Sequence, residues 1–240
     1  MARARKSSKP SRGRAGVHPL RFLRRWTLRI AVISVVVVLG VIAAHRVIEP
    51  PRTFYMGQEA RRLGSISHEW VPMAQITPVM ARAVVAAEDA DFCRHWGFDM
   101  SAIRDAIAEG SGRGASTLSQ QVVKNVYLWH GRTWARKALE ALMTPVVEAF
   151  WPKRRIVEVY LNMAEFDTGV FGIEAAAWHY FRVSAADLSA VQAARLAAVL
   201  PDPKGRSASR PSAWLRSRAS GILDGAATIA RDGRAACFED

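Results

Sequence analysis

Two glutamates that flank a polar segment are the residues best placed to do chemistry. Glu88 ends an apolar segment, Glu140 lies in a later one, and residues 114–125 between them read Gly-Ala-Ser-Thr-Leu-Ser-Gln-Gln-Val-Val-Lys-Asn. In a helix, Gln120 and Lys124 are four residues apart and share one face. Amides, hydroxyls and a cation on one face suit an anionic, sugar-rich ligand. The flanking carboxylates then make glycosyl transfer a reasonable hypothesis.

A row of cations precedes the second glutamate. Arg132, Arg136 and Glu140 are spaced by four, so a helix that reaches back to Arg132 places them on one face. The plain alternative is an ordinary surface ion pair between Arg136 and Glu140, worth about 0.2–0.5 kcal/mol. Together with Lys124, these cations suit a reaction that expels a diphosphate, because they stabilise charge developing on the leaving group. Arginine also holds phosphate oxygens with paired hydrogen bonds.

Helices are predicted to position these groups. Thr77 and Pro78 begin a helix that runs to about Asp91, since threonine caps helix N-termini and proline fits the first helical position. Asp99 caps a second helix that runs to about Glu109. The other predicted helices span about 117–128, 133–150, 152–161, 173–181, 189–200 and 212–231. No strand alternation of useful length occurs in residues 70–231, so this region is predicted to be mostly α.

The positive charge of the chain is concentrated at its N-terminal side. The formal net charge is +13, from 34 Lys/Arg and 21 Asp/Glu, but residues 1–29 hold ten Lys/Arg and no acid. The remaining residues carry 24 basic and 21 acidic side chains, a net charge of only +3. This distribution, with no G-x-G-x-x-G or Walker sequence, gives no support for nucleic-acid or nucleotide binding.

An uncharged run follows the basic segment and predicts a membrane anchor. The 15 residues Ile30–Ala44 would span roughly 22 Å as a helix, and apolar neighbours extend the run towards the roughly 30 Å of a bilayer core. The basic flank should stay cytoplasmic, which places the rest of the chain outside the inner membrane. A cleaved signal peptide is the alternative.

Cys93 and Cys237 are the two cysteines of the chain. In an oxidising compartment they could pair and tie the C-terminal segment to the body, or they could remain free thiols. No His/Cys spacing resembles a zinc site.

Five sequence blocks, in order across about residues 70–220, resemble the peptidoglycan glycosyltransferases of glycosyltransferase family 51. The blocks are Glu88-Asp89-x-x-Phe92-x-x-His95-x-Gly97-Phe98-Asp99; residues 114–125; Arg136-Lys137-x-x-Glu140; Tyr160-Leu161-Asn162 through Gly172-Ile173-x-Ala175-Ala176; and Leu196-Ala197-Ala198-Val199-Leu200-Pro201. The short anchor, and the lack of a Lys-Thr-Gly sequence or of room for a transpeptidase, are similar to the single-domain members of the family.

The resemblance implies a fold, a reaction and a division of the chain. The implied fold is mostly α, a lysozyme-like glycosyltransferase domain behind one N-terminal transmembrane helix. The implied reaction polymerises lipid II into β-1,4 glycan strands with inversion and releases undecaprenyl diphosphate. We therefore expect a basic cytoplasmic tail at 1–29, an anchor at 30–48, a juxtamembrane linker at 49–69, a periplasmic glycosyltransferase domain at 70–232 and a C-terminal tail at 233–240.

The resemblance also assigns roles to residues. Glu88 is implied as the general base that deprotonates the acceptor 4-hydroxyl, and Glu140 as a second acidic residue on the diphosphate side. The residues implied to hold the diphosphate are Lys124, Arg132 and Arg136. Those implied to line the cleft are Ser116, Thr117, Gln120, Gln121 and Asn125. Some family members use a divalent cation at the diphosphate, so Mg²⁺ or Mn²⁺ is an allowed cofactor, although no residue here is identified as a metal ligand.

Lipid II, the growing glycan strand and the inner membrane are the expected partners, and other wall-synthesis and division proteins are allowed. Two other readings stay open: a lysozyme-like lytic enzyme and a non-catalytic scaffold of the wall-building machinery. The chain departs from the family pattern at Arg182, where glycine is usual, and at Gln192, where glutamate is usual. Residues 202–210 differ most, and no functional role is assigned to them.

Overall fold

The computed structural model describes residues 19–110, 116–131 and 133–239. The chain divides into two compact units between Val41 and Ile42. The described part of the first unit, residues 19–41, lies entirely in helix α1, Pro19–Ala44. The last three residues of this helix belong to the second unit. The 24 residues from Arg21 to Ala44 are long and apolar enough to span a membrane. The helix begins before the predicted anchor at 30–48 and ends four residues short of its C-terminal bound.

The second unit is built mainly from helices. They are α2 (Phe54–Leu63), α3 (Pro78–Glu88), α4 (Met100–Ala108), α5 (Leu118–Tyr127), α6 (Trp134–Phe150), α7 (Lys153–Met163), α8 (Ile173–Phe181), α9 (Ala190–Val199), α10 (Ala213–Arg231) and α11 (Ala236–Glu239). Short 3-10 turns occupy Met73–Gln75 and Phe92–Arg94. Helices α3, α9 and α10 pack against one another, and α5 packs against both α6 and α7. The catalytic candidates on α3, α5 and α6 are thus carried by helices with buried apolar faces.

Helix starts follow the predicted capping residues in some places and not in others. The Asp99 carboxylate accepts hydrogen bonds from the backbone of Ser101 and Ala102, both at 2.9 Å, and begins α4 as predicted. Thr77 precedes α3, but its side chain makes no capping hydrogen bond. Its backbone carbonyl instead accepts from the backbone N–H of Met80 at 3.0 Å, and its own N–H donates to the carbonyl of Ala185 at 3.1 Å.

A small sheet of three strands was not predicted. Its strands are β1 (Ser67–His68), β2 (Glu165–Asp167) and β3 (Val170–Phe171), in the order β1-β3-β2. Strand β1 runs parallel to β3, and β2 runs antiparallel to it. Strands of two or three residues are too short to show an alternating pattern.

The segment 49–69, predicted as a linker, is folded into the second unit. Helix α2 occupies its middle, with Met56 fully buried and Thr53 capping the helix by accepting from Met56 N at 3.2 Å. Strand β1 then pairs with β3. The compact unit therefore starts well before the predicted boundary at residue 70, because the mixed polarity of α2 hides a buried face.

The C-terminal segment is fastened to the body. Cys93 and Cys237 form a disulfide, with their Cα atoms 5.7 Å apart, which answers the question that the sequence left open. Arg234 Nη1 donates to the carbonyl of Ala90 at 3.1 Å, and Phe238 is fully buried. Residues 233–239, here called the C-terminal clasp, were predicted as a tail but pack against the segment that follows Glu88.

Candidate active site

Glu88 lies at the C-terminal end of α3 and is held by a side chain of α5. Gln121 Nε2 donates to Glu88 Oε2 at 2.9 Å. The hydroxyl of Tyr160, from α7, donates to Gln121 Oε1 at 3.3 Å. Burial, and secondarily the charge of Glu88, raises the pKa of Tyr160, so its hydroxyl stays a donor. Three helices thereby fix one half-buried carboxylate, as a general base requires.

Asp89, the next residue, joins the end of α3 to the start of α5. Its Oδ2 accepts from the backbone N–H of Leu118 at 2.9 Å, and its Oδ1 lies 2.7 Å from His95 Nε2. Asp89 is buried, so these bonds are protected from water. Asp89 therefore helps to set the position of Glu88 relative to α5.

Glu140 is a buried carboxylate between two cations. It is 2% exposed, and Arg136 Nη1 lies 2.6 Å from its Oε2. Lys137 Nζ contacts the other oxygen and also donates to Ser116 Oγ at 3.3 Å. The predicted ion pair between Arg136 and Glu140 is present, but burial and the second cation separate it from an ordinary surface pair. Lys137, three residues before Glu140, was not predicted as a site residue.

Lys124 lies on α5 between the two glutamates. Within the described part of the chain its ammonium has no hydrogen bond or ion pair. Burial lowers the pKa of Lys124, while the charges of Glu140 and Glu88 oppose that shift. An uncommitted, half-buried ammonium near two carboxylates is available to an anionic ligand.

A cavity of about 370 Å³ opens beside these groups. Its walls include Gln121, Lys124 and Asn125, three of the residues predicted to bind substrate, and Tyr160. A second cavity of about 230 Å³ has Glu88, Ser116 and Thr117 in its lining. Gln121 faces the first cavity and bonds Glu88 in the second, so it connects the two.

Gln120 is the predicted cleft residue that the structure places elsewhere. It is 5% exposed, and its Oε1 accepts from the backbone N–H of Thr117 at 3.1 Å. In return Thr117 Oγ1 accepts from Gln120 N at 3.3 Å, which completes a capping box at the start of α5. Thr117 also donates to the carbonyl of Gly97 at 2.8 Å. The Thr117 hydroxyl is therefore already engaged in hydrogen bonds within the protein. The Gln120 side chain stabilises the start of α5 instead of facing a ligand.

Arg132 lies outside the described residues. Its predicted place beside Arg136 therefore stays a prediction, as does the role of the diphosphate-binding cations as a group.

Sequence reasoning missed one wall of the first cavity. The ring of Tyr55, on α2, stacks on His130 with the ring centroids 3.8 Å apart, and its hydroxyl donates to Glu165 Oε2 at 2.7 Å. Lys204 Nζ lies 3.0 Å from Glu59 Oε2 and 3.5 Å from Glu165 Oε1. Tyr55 and Glu59 are four apart, which is a helical spacing that could have identified this face.

The cations around the cleft act on His130. Burial, reinforced by Lys124, Arg136 and Lys204, lowers the pKa of His130 to about 4. The imidazole is therefore neutral at physiological pH and adds no charge to the cation set.

Comparison with known proteins identifies the family of the chain. A family model described as Transglycosylase matches residues 56–227. The biosynthetic peptidoglycan transglycosylase of Jannaschia sp. (strain CCS1) is 60% identical over 237 residues, covering 98% of this chain and 98% of the relative. Proteins of the same description from Salmonella paratyphi B (strain ATCC BAA-1250 / SPB7) and Salmonella typhi are 48% identical over 219 residues, covering 86% of this chain and 90% of each relative.

A mostly helical, lysozyme-like body with a fixed carboxylate and a nearby cation set is the architecture of a glycosyltransferase, and the predicted fold class is confirmed. The chain belongs to the transglycosylase family, whose model covers more than two thirds of it.

Proposed function

We propose that this chain polymerises lipid II into β-1,4-linked glycan strands of the cell-wall peptidoglycan and releases undecaprenyl diphosphate. The observation that carries the proposal is the fixed carboxylate of Glu88, one hydrogen bond away from the wall of a cavity lined by Lys124, which has no ion pair among the described residues. The description of the relatives as peptidoglycan transglycosylases supports this choice of substrate.

The bond-forming step requires a base on the acceptor. Glu88 takes the proton of the acceptor 4-hydroxyl as that oxygen forms a bond to C1 of the donor sugar. The bond from C1 to the diphosphate oxygen breaks on the opposite face. A single displacement of this kind inverts the configuration at C1 and leaves a β linkage.

The leaving group carries negative charge that the cations stabilise. Lys124 and Arg136 are proposed to hold the diphosphate, with Arg132 as a third cation, because charge grows on its oxygens as the C1–O bond breaks. Glu140 holds Arg136 and Lys137 by direct ion pairs, so its proposed role is to position these cations beside the diphosphate.

The cleft residues do not form a dedicated metal site. Both oxygens of Glu140 contact cationic side chains, and an oxygen of Glu88 is bonded by Gln121. No group of three His, Cys, Asp or Glu side chains suited to a metal occurs in the residues that the structure covers. We therefore derive no step through Mg²⁺ or Mn²⁺, and polymerisation in the presence of a chelator tests the requirement.

Helix α1 is proposed to anchor the enzyme as a single pass through the inner membrane, with the second unit in the periplasm. The ten cations in residues 1–29 support this orientation, because basic flanks are retained on the cytoplasmic side.

The Glu88→Gln variant tests the function directly. Polymerisation of labelled lipid II should fall at least about a hundredfold, because the amide cannot accept the hydroxyl proton. Glu69→Gln is the matched control, since Glu69 is exposed and its side chain has no partner among the residues described, and it should keep full activity.

Two results would contradict the proposal. Cleavage of finished glycan without polymer from lipid II would identify a lytic enzyme. Unchanged polymerisation by the folded Glu88→Gln variant would favour a non-catalytic role for this site.

A further inference from the structure

A larger polar cavity, of about 550 Å³, adjoins the cleft. It is formed by residues 204–212, the end of α8, the start of α10 and Asp167. Lys204 lines both this cavity and the 370 Å³ cavity of the cleft. The two spaces are therefore neighbours on one continuous surface, in the segment 202–210 to which the sequence assigned no role.

The lining of this cavity is cationic. Lys204, Arg206 and Arg210 line it together with one carboxylate, Asp167, although Lys204 is already paired with Glu59 and Glu165 outside the lining. That carboxylate already accepts from the Tyr180 hydroxyl at 3.0 Å and lies 3.0 Å from His179 Nε2. Asp167 therefore already has partners in the wall of the cavity, and no ion pair joins it to Arg206 or Arg210 among the described residues.

The two arginines differ in how they are held. The guanidinium of Arg206 lies 4.4 Å from the centroid of the Trp214 ring, and its nearest carboxylate, Asp202, is 3.9 Å away. Arg210 is exposed, and its side chain has no partner in the part of the chain that the structure covers. One arginine is therefore preorganised by an aromatic face and the other is free to close on a ligand.

We infer that this cavity binds the carboxylates of the peptide stem carried by lipid II or by the growing strand. The inference rests on the proposed function, which brings a sugar bearing a short acidic peptide into the adjoining cleft. Carboxylates match the planar donors of arginine, and Ser207 and Ser209 add hydroxyls to the lining. The site would thus select the stem peptide while the cleft performs the transfer.

The chemistry of the lining favours a peptide over an anionic lipid surface. Tyr180 and Leu215 are its large apolar contributors, and both are buried. The exposed ring of Trp214 lies beside Arg206, but a single aromatic ring is less than the apolar face that a membrane-facing site needs. A concave polar space next to a sugar-binding cleft instead suits a flexible acidic chain.

The test compares two substrates and two charge-matched variants. Initial rates are measured with lipid II and with lipid II whose stem-peptide carboxylates are amidated. Arg210→Gln is the primary variant. The Arg210 side chain has no hydrogen bond or ion pair to the described residues, so its loss should not unfold the chain. Arg231→Gln is the control, since Arg231 is exposed at the other end of α10, roughly 27 Å along the helix.

In the wild type, amidation should raise KM about three- to tenfold with little change in kcat. Arg210→Gln should raise KM for unmodified lipid II by a similar factor and leave KM for the amidated substrate unchanged. The double variant Arg206→Gln, Arg210→Gln should remove the discrimination, and Arg231→Gln should keep it.

Equal effects of Arg210→Gln on both substrates would overturn the inference, as would wild-type KM values that do not differ. Loss of binding to vesicles of anionic phospholipid, with discrimination intact, would assign the arginines to the membrane. Failure of the wild type to polymerise either substrate would instead overturn the proposed function.

Discussion

Gln121 is the residue on which the geometry of the catalytic base depends. Because Gln121 donates to Glu88 and accepts from Tyr160, its loss frees the carboxylate and leaves a buried hydroxyl unpaired. Hydrogen bonds to charged groups contribute about 1.5–3 kcal/mol. We expect Gln121→Leu to lower kcat roughly 10- to 100-fold in the lipid II polymerisation assay, with a smaller effect on KM.

The control for this prediction is Gln75→Leu. Gln75 is exposed, and its side chain makes no hydrogen bond to any of the described residues, so kcat should be unchanged. A kcat effect as large as that of Gln121→Leu would show that the loss is not specific to the network around Glu88.

Removal of the Lys124 charge should have opposite effects on stability and on substrate binding. Its folded pKa is lowered by burial, so the charged form costs stability at neutral pH, and that cost declines as pH rises through the folded pKa. Lys124→Met should therefore raise the unfolding temperature at pH 7, and it should raise KM for lipid II at every pH below the folded pKa of Lys124. Thermal unfolding and KM measured on the same preparations check both directions.

Lys124→Arg separates charge from size. In the wild type, the alkaline rise in KM for lipid II should begin at a pH below the ordinary lysine pKa, because the lowered pKa of Lys124 makes it lose its proton at a lower pH. Arginine stays charged, so Lys124→Arg should show no such alkaline rise. An identical alkaline limb in both proteins would assign that limb to another group.

The sequence motifs suggested candidate residues but not what each side chain contacts. Glu88, Lys124 and Glu140 lie on three different helices, and only the fold brings Lys124 near enough to both glutamates for their charges to act on its pKa. Gln120 was predicted in the cleft because helical spacing cannot tell a ligand-binding amide from one that caps its own helix. Tyr55 was missed because its partners are distant in sequence and only the folded chain brings them together.

At the scale of elements, the C-terminal clasp is the feature with the largest expected effect on stability. The disulfide closes a loop of 144 residues, and the loop-closure model gives about 4–5 kcal/mol for such a length. Arg82 Nε also lies 3.0 Å from Glu239 Oε1. We expect the double variant Cys93→Ser, Cys237→Ser to unfold about 10 °C lower than the oxidised wild type.

Reductant provides the internal control. Added thiol should lower the unfolding temperature of the wild type to that of the variant and leave the variant unaffected. A variant as stable as the oxidised wild type would show that the noncovalent contacts of the clasp suffice.

Helices were more predictable than strands or boundaries. Amphipathic spacing identified α3 to α10, but β1, β2 and β3 are defined by pairing between distant segments and leave no local pattern.

The conformation of the turn after α8 could not be predicted from the residue type. Arg182 stands where glycine is usual, yet it adopts the left-handed conformation with φ 60° and ψ 35° that glycine takes easily. This conformation costs a non-glycine residue roughly 1 kcal/mol, and Arg182→Gly should recover part of that cost.

At the scale of the whole molecule, the compact body begins inside α1. Ile42 is 1% exposed, and its carbonyl accepts from Trp151 Nε1 at 2.7 Å. The carbonyls of His45 and Ile48 accept from Arg155 at 3.0 and 2.7 Å. Composition predicted the anchor from its apolar run, but it could not show that the last residues of that run also pack into the core of the second unit.

Truncation tests this boundary. A chain that begins at residue 30 and one that begins at residue 42 should unfold at the same temperature in detergent. A chain that begins at residue 49 removes the carbonyl acceptors of Trp151 and Arg155, each bond worth about 1–3 kcal/mol, and should unfold roughly 5 °C or more lower. Equal unfolding temperatures for all three would place the start of the body after residue 48.

The pairing of Cys93 with Cys237 also sets an order of events in the life of the enzyme. The ribosome delivers the second thiol 144 residues after the first, so no intermediate length of chain can complete the bond. Both halves must be translated and brought together, and an oxidant must accept the two electrons, before the segment behind Glu88 is covalently secured. Maturation of this polymerase is thereby coupled to the thiol-oxidising capacity of its compartment, and a cell that makes the chain faster than it oxidises it would accumulate a folded form without the disulfide.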